Sequence, residues 1–109
     1  MYVIVWEFET EARSQREFER ASGPAGVWVH LFRRAEGYVD TELLRDEEKP
    51  GRYFTIDRWE SRAAFEAFKQ QFAAEYEATD RECAALTVRE TLLGRFQVAS
   101  GAAPGRSSS

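Results

Sequence analysis

The chain is poor in the residues from which many protein sites are built. Its 109 residues hold one cysteine, Cys83, and one histidine, His30. A lone cysteine cannot close a disulfide within the chain and lacks a second cysteine for a metal or redox motif, so Cys83 reads as a small buried residue on a helix. No apolar run approaches bilayer length, and the chain enters a strand at Tyr2 with no charged leader or apolar signal core. A cytoplasmic protein is expected. Basic charge is also in deficit: 15 lysines and arginines against 19 acids give a net charge of −4. The arginines are interspersed with acids rather than gathered in a patch, which argues against a nucleic-acid surface.

What the chain does have is aromatic residues in two periodicities that meet at one point. Tyr53, Phe54, Thr55, Ile56 and Trp59 favour a pleated backbone. Ser61 then offers a hydroxyl to the first free amides of a helix. Phe65, Phe68, Phe72 and Tyr76 follow at spacings of three and four, along one side of that helix. Rings where many helices present leucine imply a bulky core or an aromatic-walled pocket.

The rest of the chain is punctuated regularly. Strands are expected at Tyr2 to Glu9, Tyr38 to Arg45, Arg52 to Trp59 and Thr87 to Gln97. Helices are expected at Glu11 to Ser22, at Val27 to Arg34, and from Arg62 to Ala78, with a further helical piece over Asp80 to Leu86. Gly23-Pro24-Ala25-Gly26 separates the first two helices, and Pro50-Gly51 turns a hairpin. One domain over residues 1–97 is expected, followed by a Gly/Pro/Ser-rich tail at 98–109 of disordered composition. The order strand, helix, strand, strand, helix, strand is that of an α+β ferredoxin-like sandwich with an antiparallel four-stranded sheet. On the first strand Tyr2, Ile4, Trp6 and Phe8 point one way and Val3 and Val5 the other, so both faces are apolar. Helices cover only one of them, and a second copy's sheet is the natural cover for the other. A homodimer, a dimeric α+β barrel, is expected.

Taken together, MYVIVWEFE, GYVDTELLRD, PGRYFTIDRWES and AFEAFKQQFAAEY resemble the antibiotic biosynthesis monooxygenase family of dimeric α+β barrels. The resemblance spans roughly residues 2–97. The arm ending in Trp59-Glu60-Ser61 and entering Ala64-Phe65 carries most of it. Such a resemblance implies the fold, and it implies one of several activities: cofactor-independent oxygenation of polycyclic aromatics and quinols, haem degradation, or none. The haem-degrading branch is marked by an Asn on the first strand and a Trp and a His on the later helix. This chain contains no asparagine. Those three positions fall on Trp6, Phe68 and Tyr76, none of which matches, so haem degradation is not supported. The cofactor-independent oxygenases carry an Asn, Trp and Tyr set, of which Tyr76 and a tryptophan such as Trp6 or Trp59 can supply two.

An electron-rich phenol reacts with oxygen without metal or flavin when its proton is removed and the anion is held in a dry pocket, with a hydrogen bond to the developing charge. On this reading His30 is the candidate base and Tyr76 the donor, with Trp6, Trp28, Phe68 and Phe72 as walls around a small aromatic ligand. No metal or organic cofactor is needed. Each residue has a plainer role available. His30 shares a helix side with Val27 and Arg34, which makes it a solvated histidine. Tyr76, Trp6 and Trp59 serve equally as core or interface packing. Glu7, Asp57, Glu42 and Glu90, with His30, contain the donors of a carboxylate–histidine metal site, but beside Arg45, Arg58 and Arg89 they read more simply as cross-strand ion pairs. The competing class of function is a non-catalytic dimer that binds a small ligand, and the missing asparagine leans toward it or toward altered chemistry.

Overall fold

Strict alternation along one central strand organises the molecule. In β3 (Arg52–Trp59) every second residue, Tyr53, Thr55, Asp57 and Trp59, is buried, as the period of two in a pleated strand requires. The computed structural model describes residues 1–101. It places β3 against β1 (Tyr2–Glu9) and β2 (Tyr38–Arg45), with β4 (Arg89–Gln97) on the far side of β1. The sheet order is β2-β3-β1-β4 and every pairing is antiparallel. This is the ferredoxin-like α+β fold. Gly37, at φ 89°, leads into β2; a Cβ there would lie 2.5 Å from the Ala64 Cβ, so only glycine fits that turn.

Four helices lie on one face of the sheet. They are α1 (Gln15–Ser22, entered through a 3-10 turn at Ala12–Ser14), α2 (Val27–Phe32), α3 (Arg62–Gln71) and α4 (Ala73–Cys83). The Ala64 N–H donates to Ser61 Oγ at 3.1 Å, the cap expected from the sequence. The later helix is not continuous to Ala78. It breaks at Phe72, whose backbone (φ −112°, ψ 30°) leaves the helical region, and α4 then runs through Cys83. Phe72 is itself buried, so the break reorients the helix while all four rings stay against the core. That core joins Tyr2, Ile4, Leu31, Phe32, Trp59, Phe68 and Phe72.

The opposite face carries no helix among the described residues. Val5 pairs with Ile56 and Glu7 with Phe54 across β1 and β3, and Leu44 and Phe96 are 42% and 50% exposed on the flanking strands. Charged pairs frame the apolar strip: Arg52 bonds Glu7 and Asp46, and Arg58 bonds Asp40 and Glu42. No described helix is long and apolar enough to cross a membrane. Of the tail expected at 98–109, residues 98–101 follow β4 without regular structure, and 102–109 lie outside the described residues.

Candidate functional site

A cavity opens between the sheet, α2 and α4. The inward positions of three strands form its floor: Trp6 from β1, Thr55 and Asp57 from β3, and Thr41 from β2. Trp28 and Phe32 of α2 and Tyr76 of α4 form its walls, while the exposed Asp80 and Glu90 mark its mouth. The Trp28 and Tyr76 rings meet edge to face at 5.2 Å, a favourable aromatic geometry. Lys69 Nζ lies 4.2 Å from the centre of the Tyr76 ring. Burial raises the Tyr76 phenol above its ordinary pKa, helped by the charges of Asp80, Asp57 and Glu90, so its hydroxyl stays protonated and able to donate.

The floor holds one unusual group. Asp57 is 9% exposed, and burial pushes its carboxyl up to about 6, while the Thr41 hydrogen bond opposes the shift and Asp40 adds to it. Thr41 Oγ1 donates to Asp57 Oδ1 at 2.7 Å, and the Tyr38 hydroxyl lies 2.7 Å from Thr41 Oγ1. No arginine or lysine pairs with Asp57 among the described residues. The cross-strand ion pair expected for it is therefore absent among the described residues, although Glu7 and Arg58 do form such pairs.

The residues singled out in the sequence are divided by the fold. Trp6, Trp28 and Tyr76 converge on the cavity. Phe68 and Phe72 do not line it; they lie behind it in the core, 1% and 6% exposed. Trp59 is fully buried in the same core. His30 is exposed and lines a separate surface groove with Arg34, Glu75 and Glu82. The two residues proposed to share proton transfer are thus not brought together, because a six-residue helix that turns Val29, Leu31 and Phe32 inward must turn its intervening position out. Cys83, half-buried, borders the cavity, and burial raises its thiol pKa. Asp57, which the sequence presents as an ion-pair or metal-site carboxylate, is instead a buried group of the cavity floor; its parity with Trp59 on a strand that must bury one face is the signal for that burial.

The family model for antibiotic biosynthesis monooxygenase matches residues 1–79. Solved structures agree over nearly the whole chain. A variant of SnoaB, a cofactor-independent oxygenase from Streptomyces nogalater, shares 22% identity at a TM-score of 0.70, covering 92% of this chain and 94% of that one. A variant of MhuD with two manganese protoporphyrin IX molecules bound per active site shares 27% identity at 0.71, covering 94% and 99%. PA3566 from Pseudomonas aeruginosa shares 15% at 0.65, covering 91% and 94%. A search of curated proteins found no match.

Proposed function

We infer that this chain, which belongs to the antibiotic biosynthesis monooxygenase family, is a cofactor-independent oxygenase of an aromatic or quinol-like small molecule. The observation that carries this reading is the aromatic cavity itself: Trp6, Trp28, Phe32 and Tyr76 surround it, and the Tyr76 hydroxyl is a protonated donor at its wall. The structural likeness to SnoaB, described as a cofactor-independent oxygenase, supports the same direction.

Without a cofactor the substrate must supply all four electrons that reduce dioxygen. A methylene activated by phenolic rings can do so: CH₂ + O₂ gives C=O + H₂O, with one C–O bond made, two C–H bonds broken and the O–O bond cleaved. The cavity's part is to exclude water, stack the rings, and let Tyr76 donate to the oxygen on which negative charge develops. Simple hydroxylation of a phenol to a diol would need two electrons from outside, whereas oxidation of a phenol to the quinone level draws all four from the substrate.

The porphyrin held by MhuD fits this cavity poorly. The chain's one imidazole lies outside it, no lysine or arginine lines it to receive propionates, and the Cys83 thiol sits among carboxylates that oppose its ionisation. A second copy placed over the open sheet face, where Val5, Ile56 and Phe54 are only half covered, completes the proposed assembly as a homodimer.

Metal-free and flavin-free protein should consume oxygen with an anthrone-like or dihydroquinone substrate, measured with an oxygen electrode. Uptake equal to the buffer control across such a panel, together with strong quenching of tryptophan fluorescence by the same compounds, would establish the non-catalytic ligand-binding dimer instead.

A further inference from the structure

Removing a proton from a bound substrate requires a base inside the cavity, and His30 is outside it. Resting on the oxygenase function above, we propose that Asp57 is the catalytic base of this site and that Thr41 and Tyr38 are its positioning residues.

The geometry of the hydrogen bonds gives the assignment. Thr41 has one hydroxyl proton and donates it to Asp57 Oδ1, so in the Tyr38–Thr41 contact it is Tyr38 that donates. The chain Tyr38 to Thr41 to Asp57 is polarised toward the carboxylate and holds one of its oxygens in place. The other oxygen, Oδ2, has no hydrogen-bond partner among the described residues, and Asp57 borders the cavity. An ionised carboxylate with one oxygen fixed and the other free toward an aromatic pocket is placed to accept a proton from what the pocket holds.

The other acids around the cavity are less suited. Asp80 and Glu90 are exposed at its mouth, where water competes for them. Asp57 is the buried one, and desolvation moves its pKa from 3.8 to about 6. Against a phenolic proton of pKa about 10, that shrinks a mismatch of about six units to about four, while leaving the group ionised at neutral pH. The groups around Asp57 are Thr41, Tyr38 and Asp40 from β2 and, across the cavity, Tyr76, Asp80 and Cys83 from α4 and Glu90 from β4; Arg95 of β4, opposite Ile4, acts on Tyr76. None of the cavity's lining groups is basic.

The proton balance closes on Asp57. Its carboxylate takes a proton from the activated methylene or its enol, and the carbanion adds O₂ to form a peroxide anion, which recovers that proton. The carboxylate then removes the second C–H proton as the O–O bond breaks and hydroxide leaves. The carboxylic acid protonates that hydroxide to water, returning Asp57 to its starting state.

Proton abstraction can be tested apart from oxygenation. With 1,8-dihydroxyanthrone under nitrogen in D₂O, the protein should accelerate deuterium exchange at the methylene, followed by NMR. Asp57→Asn, which keeps the Thr41 acceptor, should slow that exchange by about 10²-fold or more while still quenching tryptophan fluorescence on binding the anthrone. The acidic limb of the wild-type exchange profile should fall near the pH at which Asp57 titrates, and Thr41→Val should move it upward, because the lost hydrogen bond had favoured the ionised form. Exchange by Asp57→Asn within about twofold of wild type, or no exchange by the wild type at all, would overturn the assignment. Wild-type exchange without oxygen uptake would leave Asp57 as the base and defeat the oxygenase function alone.

Discussion

Thr41 and Asp57 lie directly opposite each other in the register of β2 and β3, and the hydroxyl of the first donates to the carboxylate of the second at 2.7 Å. The two are sixteen residues apart in the chain, and the hairpin between them turns through Gly51, at φ 87°. A slip of one residue in that pairing would send Asp57 to the opposite face and leave Thr41 with no acceptor. The register of one hairpin therefore decides whether the cavity has a buried carboxylate.

That carboxylate should cost stability at neutral pH. Because its pKa rises from 3.8 to about 6 on folding, the folded state binds the proton more tightly. The carboxyl favours folding most below its unfolded pKa, and this contribution is lost as the pH rises through about 6. By linkage the penalty above that pH is roughly 3 kcal/mol. Asp57→Asn should raise the unfolding free energy by an amount of that order at pH 8 and change it little at pH 4, measured by urea denaturation. Equal effects at both pH values would show that Asp57 is not the group titrating.

Tyr76→Phe keeps the ring against Trp28 and Phe68 and removes only the hydroxyl. Its melting temperature should be unchanged, while kcat for oxygen uptake should fall by about 10²-fold. His30→Ala, at the exposed groove, should leave both the rate and its pH profile unaltered. A lower rate for His30→Ala would return the imidazole to the mechanism.

Adjacent residues on β1 separate folding from assembly. Ile4 is 3% exposed beneath the helices, and Ile4→Asp should abolish folding, seen as loss of the cooperative melting transition. Val5 belongs to the open face, paired with Ile56 and Gly94. Val5→Asp should retain wild-type circular dichroism but sediment as a monomer where the wild type sediments as a dimer. A wild-type monomer at micromolar concentration would remove the partner copy from the proposed assembly.

Phe68 is the hub of the core, with Trp59 at 5.1 Å, Phe32 at 5.4 Å and Phe72 at 5.7 Å between ring centres. Phe68→Ala should cost about 3–5 kcal/mol, read as a lower urea midpoint with an unchanged slope. Because Phe68 lies behind the cavity rather than on its wall, the loss of activity should track the loss of folded protein.

The sequence by itself determined the sheet, the helix face bearing Phe65 and Phe68, the Ser61 cap and the two-sided apolar character of β1. Each of these is a local periodicity or a local hydrogen bond, and the chain states it within a few residues. It also placed Trp6, Trp28 and Tyr76 on inward faces, from which the cavity is built. It did not reveal the break at Phe72, where packing of a buried ring overrides helical propensity, nor that Phe68 lies behind the cavity wall. Above all it did not distinguish Asp57 from the acids around it. Whether a carboxylate is a solvated ion-pair partner or a desolvated base depends on what stands opposite it across the sheet and what covers it from the helices. Only the tertiary structure supplied those neighbours: Thr41 on the adjacent strand, the aromatic wall above, and the arginines of the opposite face turned away.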